Sequence, residues 1–301
     1  MANTKVIKQK IKAIGNIKKI TKTMEMVSFA KMRKSAAEVT GMAEYARGVK
    51  SVLALLGSSA VEENALSQGV KGAAEKDLVL IFASNKGLCG SFNTNLYKQL
   101  KRELEKNPNI KDVICFGKFA EKIARRLGLN IILSYLEIDK VDGVAKISKI
   151  ETLVRGEFLN KKYTRVHALY TNFVKMGVFE PTIAQVYPLQ SVSKAEEVIS
   201  GNVNLHTDTK DETKKENQQY TFEPSVQEVV SSLIPKLVKM LIFSFLLESR
   251  ASEHSSRSFA MKRANESAGE MLGDLKLLYN KVRQDSITQE IAEISAGANA
   301  A

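Results

Sequence analysis

Residues 84–96, SNKGLCGSFNTNL, place two glycines three residues apart directly after an apolar run, LVLIFA, from Leu78 to Ala83. A strand that ends in a glycine turn and leads into a helix can hold a phosphate, because bare backbone and helix N–H groups can approach the anion. The details fit that chemistry poorly. A Walker loop needs GxxxxGK[ST], and a dinucleotide loop needs GxGxxG. Here only Gly87 and Gly90 are present, and Lys86 precedes the first glycine instead of following the second. A tight strand-to-helix turn, with Asn93 or Thr94 near the helix cap, is the better expectation.

Other reactive residues are scattered. Cys89 and Cys115 lack CxxC spacing and read as buried small hydrophobes. His167, His206 and His254 are isolated, and neither HExxH nor GxSxG occurs. No catalytic residue, cofactor or metal site is expected.

The chain has 301 residues and a formal charge of +12, which calls for an acidic partner. The charge is concentrated. Within the first thirty-five residues ten lysines and arginines face only Glu25, a net +9. LIFSFLL, at Leu241 to Leu247, is too short to span a membrane, and the first residues lack a secretion signal. An intracellular protein, soluble or peripheral, is expected.

The elements that position these residues follow from periodicity and proline placement. Ile7, Ile11, Ile14, Ile17, Ile20, Met24 and Val27 step by three or four, as do Ala264, Ala268, Met271, Leu275, Leu278 and Val282. Each set is the apolar seam of a long helix. Glu223-Pro224-Ser225 reads as a helix start and Pro235 as a kink or restart. After Val282 the seam jumps to Ile287, interrupted at RQDS.

Between the helices, residues 77–83, 112–117, 130–136, 164–173 and 181–189 read as strands, and 95–105, 118–127 and 148–161 as helices. Strands alternating with helices imply a mainly parallel, Rossmann-like sheet. The expected order is an N-terminal coiled-coil helix at 1–75, an α/β domain at 76–200, a polar linker at 201–222 and a C-terminal coiled-coil helix at 223–301. If the terminal seams bury each other, they form an antiparallel coiled coil.

Three stretches carry a family likeness: IKAIGNIKKITKTMEMVSFAKMRKS (Ile11 to Ser35), the SNKGLCGSFNTNL loop, and LYNKVRQDSITQEIAEISAGANA (Leu278 to Ala300). Together, in order, they resemble the gamma subunits of F-type (F1Fo) ATP synthases. The resemblance implies a non-catalytic rotor shaft that couples ion flow through a membrane c-ring to ATP synthesis or hydrolysis in beta subunits. It implies alpha, beta, epsilon and c-ring partners, no nucleic acid, and membrane association only through partner subunits. It further implies beta-subunit contacts at Arg283, Gln284, Thr288 and Glu290, with Met24 and Lys22 on the N-terminal side. Gly87, Cys89 and Gly90 match a structural motif. With no transit peptide read, the cytoplasmic face of a bacterial plasma membrane is the expected location. A basic coiled coil that binds nucleic acid is the alternative.

Overall fold

The computed structural model describes residues 2–56, 64–69, 72, 75–136, 143–189 and 222–299. The expected linker at 201–222 therefore lies almost wholly outside the described residues. The elements are α1 (Ala2–Leu56), α2 (Ala65–Gln68), β1 (Asp77–Phe82), α3 (Phe92–Lys106), β2 (Ile110–Phe116), α4 (Lys118–Arg126), β3 (Asn130–Tyr135), α5 (Gly143–Leu159), β4 (Arg165–Lys175), β5 (Val178–Tyr187) and α6 (Val226–Asn299). They form two compact units. A coil unit joins Met1–Ala30 with Arg257–Ala301, and a sheet unit spans Lys31–Ser256.

In the sheet unit the strand order is β3-β2-β1-β4-β5. β1 runs parallel to both β2 and β4, and β2 runs parallel to β3; only β5 is antiparallel, folded back on β4 through Met176 and Gly177. All six residues of β1 are buried, as a central strand covered on both faces requires. Its side chains alternate between two cores. Leu78, Leu80 and Phe82 meet α5 and α6, through Ile150, Val154, Leu241 and Phe245 among others. Val79 and Ile81 meet α3 and α4, through Leu96, Leu100, Ala120 and Ala124.

α6 is therefore a core helix in this unit. Its apolar stretch reaches a mean hydropathy of 1.8 over eighteen residues, enough by length and composition to cross a membrane, but more than half of that stretch is buried inside the protein. Ser225 starts the helix, its hydroxyl accepting the N–H of Glu228 at 3.3 Å. Pro235 neither ends nor restarts it, since one helix runs from Val226 to Asn299.

α6 also completes the backbone bonding of β4. β1 pairs with β4 only as far as Ile81 and Leu169. Beyond that point Thr171 N–H donates to Ser249 Oγ at 3.0 Å, and Ser252 Oγ donates to the Thr171 carbonyl at 3.2 Å. Gly177 N–H donates to Ser255 Oγ at 3.1 Å. Serine hydroxyls thus stand where a neighbouring strand would and meet the backbone groups of Thr171 and Gly177. Glu248 lies on the same helix, 3% exposed. Burial raises its carboxyl from an ordinary 4.5 to about 8, partly countered by a hydrogen bond from the Phe173 backbone N–H.

The coil unit is antiparallel. Ser258 Oγ donates to the Glu25 carbonyl at 3.4 Å, and a Cβ at Gly269 would lie 3.1 Å from Lys18 Nζ. Moving back along α1 therefore means moving forward along α6. The less exposed positions on α1 up to Ser28 are Thr4, Ile7, Ile11, Ile14, Gly15, Thr21, Met24, Glu25 and Ser28; on α6 they include Met261, Asn265, Ala268, Leu272, Leu275, Tyr279, Val282 and Ser286. Both sets fit the three-and-four spacing of a coiled-coil seam.

Two expectations need correction here. Ile17, Ile20 and Val27 were assigned to the seam but are 52%, 59% and 51% exposed. Ile20 and Val27 each precede a buried residue, Thr21 and Ser28, by one position, and the helices approach where Lys18 lies near Gly269 and Ser258 reaches Glu25. The same slip affects α6, where Met271 and Leu278 are exposed and Leu272 and Tyr279 face inward. The seam is also not interrupted after Val282. It steps to Ser286, and every residue from 287 to 296 is exposed. The antiparallel register explains this, because the first residues of α1 lie opposite the region of Ser286.

Because folded Glu248 keeps a proton that the unfolded chain releases, its contribution to stability is complete below pH 4.5 and is lost as pH rises through about 8. Glu248→Gln is expected to flatten that decline in urea unfolding midpoints measured from pH 4 to 9. An unchanged slope would contradict the assignment.

Candidate functional site

The glycine-rich loop sits at the carboxyl ends of β1 and β4, where the strand order reverses. Open α/β sheets commonly bind ligands in that crevice. Here the chain fills it. Asn93 Oδ1 accepts the Ser84 N–H at 3.3 Å, while Asn93 Nδ2 donates to Ser84 Oγ at 2.7 Å and to Cys89 Sγ at 3.2 Å. From the other side Ser256 Oγ of α6 donates to the Cys89 carbonyl at 2.6 Å.

The neighbouring helix N-termini are engaged as well. Lys118 N–H of α4 donates to Asn85 Oδ1 at 3.0 Å and Phe119 N–H to the Ser84 carbonyl at 3.0 Å. Phe92 N–H of α3 turns back to the Cys89 carbonyl at 3.3 Å. Neither Asn93 nor Thr94 caps α3. Ser91 occupies the cap position without a side-chain bond to a helix N–H, and Asn93 reaches back into the loop instead.

Backbone shape explains one of the two glycines. Gly90 has φ 57, a left-handed conformation, and so does exposed Leu88 at φ 60. Gly87 has no positive φ, and a Cβ there would meet only Phe119 at 3.8 Å. The strictest glycine is Gly117, where a Cβ would come within 2.3 Å of the Ala83 carbonyl oxygen. Sequence reasoning missed it.

The cysteines are buried. Burial, reinforced by Glu121, pushes the Cys115 thiol up to about 12, so it is not a nucleophile near neutrality. His167 is buried with Nε2 3.6 Å from Asp77 Oδ2, and His206 lies outside the described residues. Among the described residues no group of three or more His, Cys, Asp or Glu could hold a metal.

The surface of the coil unit offers a different kind of site. Ile17, Ile20, Met26 and Val27 are exposed apolar residues on α1, and Lys8, Lys12, Lys19 and Lys22 around them are also exposed. On α6 Ile287, Ile291 and Ile294 form an exposed row at helical spacing. Such rows are suited to contact with another macromolecule.

The expected contact residues fall into two groups. Arg283, Gln284, Thr288 and Glu290 are exposed within about two turns of α6, and Thr288 Oγ1 donates to the Gln284 carbonyl at 2.9 Å. Lys22 is exposed and ion-paired to Glu25 at 3.2 Å, while Met24 is half-buried. The antiparallel register separates Lys22 from Arg283, their nearest members, by about 30 Å along the coil at about 1.5 Å per residue.

A family model described as ATP synthase matches residues 3–301. A protein named ATP synthase gamma chain from Cupriavidus metallidurans is 31% identical over 307 residues, covering all of both chains. The chain belongs to the ATP synthase gamma-chain family. The gamma chain of Variovorax paradoxus is 33% identical over 305 residues, covering 100% of this chain and 99% of its own. Solved structures share the fold. A chain of the Euglena gracilis mitochondrial ATP synthase, in an OSCP/F1/c-ring structure, matches with TM-score 0.63 at 16% identity, covering 99% of this gamma chain and 94% of that one. A chain of the Tetrahymena thermophila central stalk and c-ring matches with TM-score 0.57 at 22% identity, covering 81% and 99%. Gamma-chain membership gives no support to the nucleic-acid alternative.

Asn93→Ala leaves the Ser84 N–H and hydroxyl without their partner in a closed loop and is expected to cost about 1–3 kcal/mol in urea unfolding. No loss would contradict the structural role of the loop. A second comparison separates seam from surface. Ile7→Ala is expected to destabilise the full chain by about 2 kcal/mol, and Ile20→Ala by less than about 0.5 kcal/mol. Equal losses would contradict the observed register.

Proposed function

We propose that this gamma chain is the rotor shaft of an ATP synthase, turning with a membrane c-ring and biasing the catalytic beta subunits without performing chemistry itself. The observation that carries this reading is the coil unit's outer surface, which leaves Ile17, Ile20 and Val27 exposed among lysines while a separate seam holds the two helices together. A shaft must keep its own shape and present a face to its bearing. Both demands fall on the same helix.

Rotation can alter a catalytic site only if the shaft contacts that site's alternative conformations unequally. The surface is suitably uneven: cations and isoleucines lie on α1, whereas α6 ends in Arg283, Gln284, Thr288 and Glu290 beside three isoleucines. Beta subunits meet these α6 residues and, on α1, Lys22 and Met24. The basic face of α1 favours acidic segments of the ring, over a contact that must slide and remain partly wet.

Alpha and beta subunits form the bearing, epsilon and the c-ring hold the remainder of the chain, and the complex is a proton-transporting ATPase. Its place is the cytoplasmic face of a bacterial plasma membrane, which the chain reaches through its partners. The closed loop after β1 fits a chain that leaves nucleotide chemistry to the beta subunits.

Arg283→Ala combined with Gln284→Ala is expected to lower ATP-driven proton pumping in reconstituted vesicles about tenfold, corresponding to about 1.4 kcal/mol of coupling. Unfolding of the isolated chain should be unchanged because both residues are exposed. Pumping at the wild-type rate would count against these contacts.

A further inference from the structure

The sheet has two edges, and they are finished differently. On β5, Pro181 stands opposite Thr171, whose N–H and carbonyl both turn away to the serines of α6. The two residues therefore form a pair without hydrogen bonds between them, and Pro181 directs its donorless nitrogen to the outer edge. Exposed Glu180 adjoins it. Proline and charge are the devices that stop an edge strand from recruiting another.

β3 has neither device. Its sequence, NIILSY, is uncharged and proline-free, and Leu136 beyond it is exposed. Among the described residues no strand pairs with its outer side. The Tyr135 carbonyl faces β2, accepting the Gly117 N–H at 2.9 Å, so strand alternation turns the N–H and carbonyl of Ser134 outward. Ile131 packs against one core of the sheet unit, and Ile132, Leu133 and Tyr135 against the other. All four remain only half-buried. One more strand would cover them on both faces.

Charge narrows the occupant. α4 packs beside β3 and exposes Lys118, Lys122, Arg125 and Arg126. Its one acid, Glu121, is engaged by the Ser134 hydroxyl and by Arg125 at 3.6 Å. A second copy of this chain, at formal charge +12, would bring like charge to like.

We propose that the outer edge of β3 is a strand-addition site for an extended segment of another polypeptide, uncharged along the pairing and acidic where it passes α4. This goes beyond the shaft reading, which requires partners but does not say how the sheet unit holds one.

The test is amide hydrogen exchange at Ser134, measured in the free full-length chain and in the purified multisubunit complex. The amide is expected to exchange freely in the isolated chain and at least about tenfold more slowly in the complex. Slow exchange in the isolated monomer would mean that another segment of this chain covers the edge, and slowing that appears only with self-association would mean a second copy; either overturns the proposal. Equal fast exchange in both samples overturns it while leaving the shaft reading intact, because the complex has assembled. Leu136→Pro, which removes the next outward donor at an exposed position, is expected to melt like the wild type and to lose the protection at Ser134 in the complex. Undiminished protection in that variant would also overturn the proposal.

Discussion

Two helices pack side by side only where the groups between them let the backbones approach, and between Lys18 and Ser28 of the coil unit small and hydrogen-bonding groups supplement an otherwise apolar seam. Ser258 reaches the Glu25 carbonyl, and Lys18 lies over Gly269. Isoleucines at those positions would hold the helices further apart and leave the backbone carbonyl without the serine. The consequence is a surplus of apolar side chains outside the seam. Ile17, Ile20 and Val27 contribute little to the isolated chain, but apolar area that stays exposed at rest is available to a partner. A gamma chain needs this division, since a shaft that buried every apolar group in its own seam would have a weak hold on its bearing.

α6 solves a second problem with the same residue type. A strand that outruns its neighbour exposes amides and carbonyls that cannot be buried without partners. Ser249, Ser252 and Ser255 supply those partners to β4 and its hairpin, and Ser256 does the same for the loop after β1. The helix is thereby fixed in rotation and register against the sheet, because a one-residue slide would misplace all four hydroxyls. The crevice at the carboxyl ends of β1 and β4 holds the loop that this docking anchors, through Ser256 on one side and Asn93 on the other.

Much of this was legible in the sequence. All five strand runs and the three helices between them follow from period and composition, because a buried parallel sheet demands short apolar β-branched runs separated by amphipathic helices. Gly87 and Gly90 match no phosphate motif, and the loop that carries them is closed by Asn93 and Ser256. The coil register was legible only in part, since Ile7, Ile11, Ile14, Met24, Ala268, Leu275 and Val282 lie in the seam as periodicity indicates. Hydrophobic periodicity also selected Ile20, Met271 and Leu278, whereas packing selected Thr21, Leu272 and Tyr279, and an offset of one residue leaves the three-and-four pattern unchanged. The serines of SRASEHSSRS, residues 249–258, recur at helical spacing, but nothing in a single sequence says that a strand edge faces them. The need for glycine at position 117 was equally invisible, since it arises from the carbonyl of Ala83, far away in the chain.

Rotation itself is the most direct measure of the account. With Cys89 and Cys115 buried, a single cysteine replacing exposed Lys101 can carry a probe on the sheet unit of an otherwise assembled and active complex whose alpha and beta ring is immobilised. The account requires the probe to turn persistently in one direction while ATP is hydrolysed, and to stop when ATP is exhausted. Sustained hydrolysis with a stationary or randomly reorienting probe would contradict it.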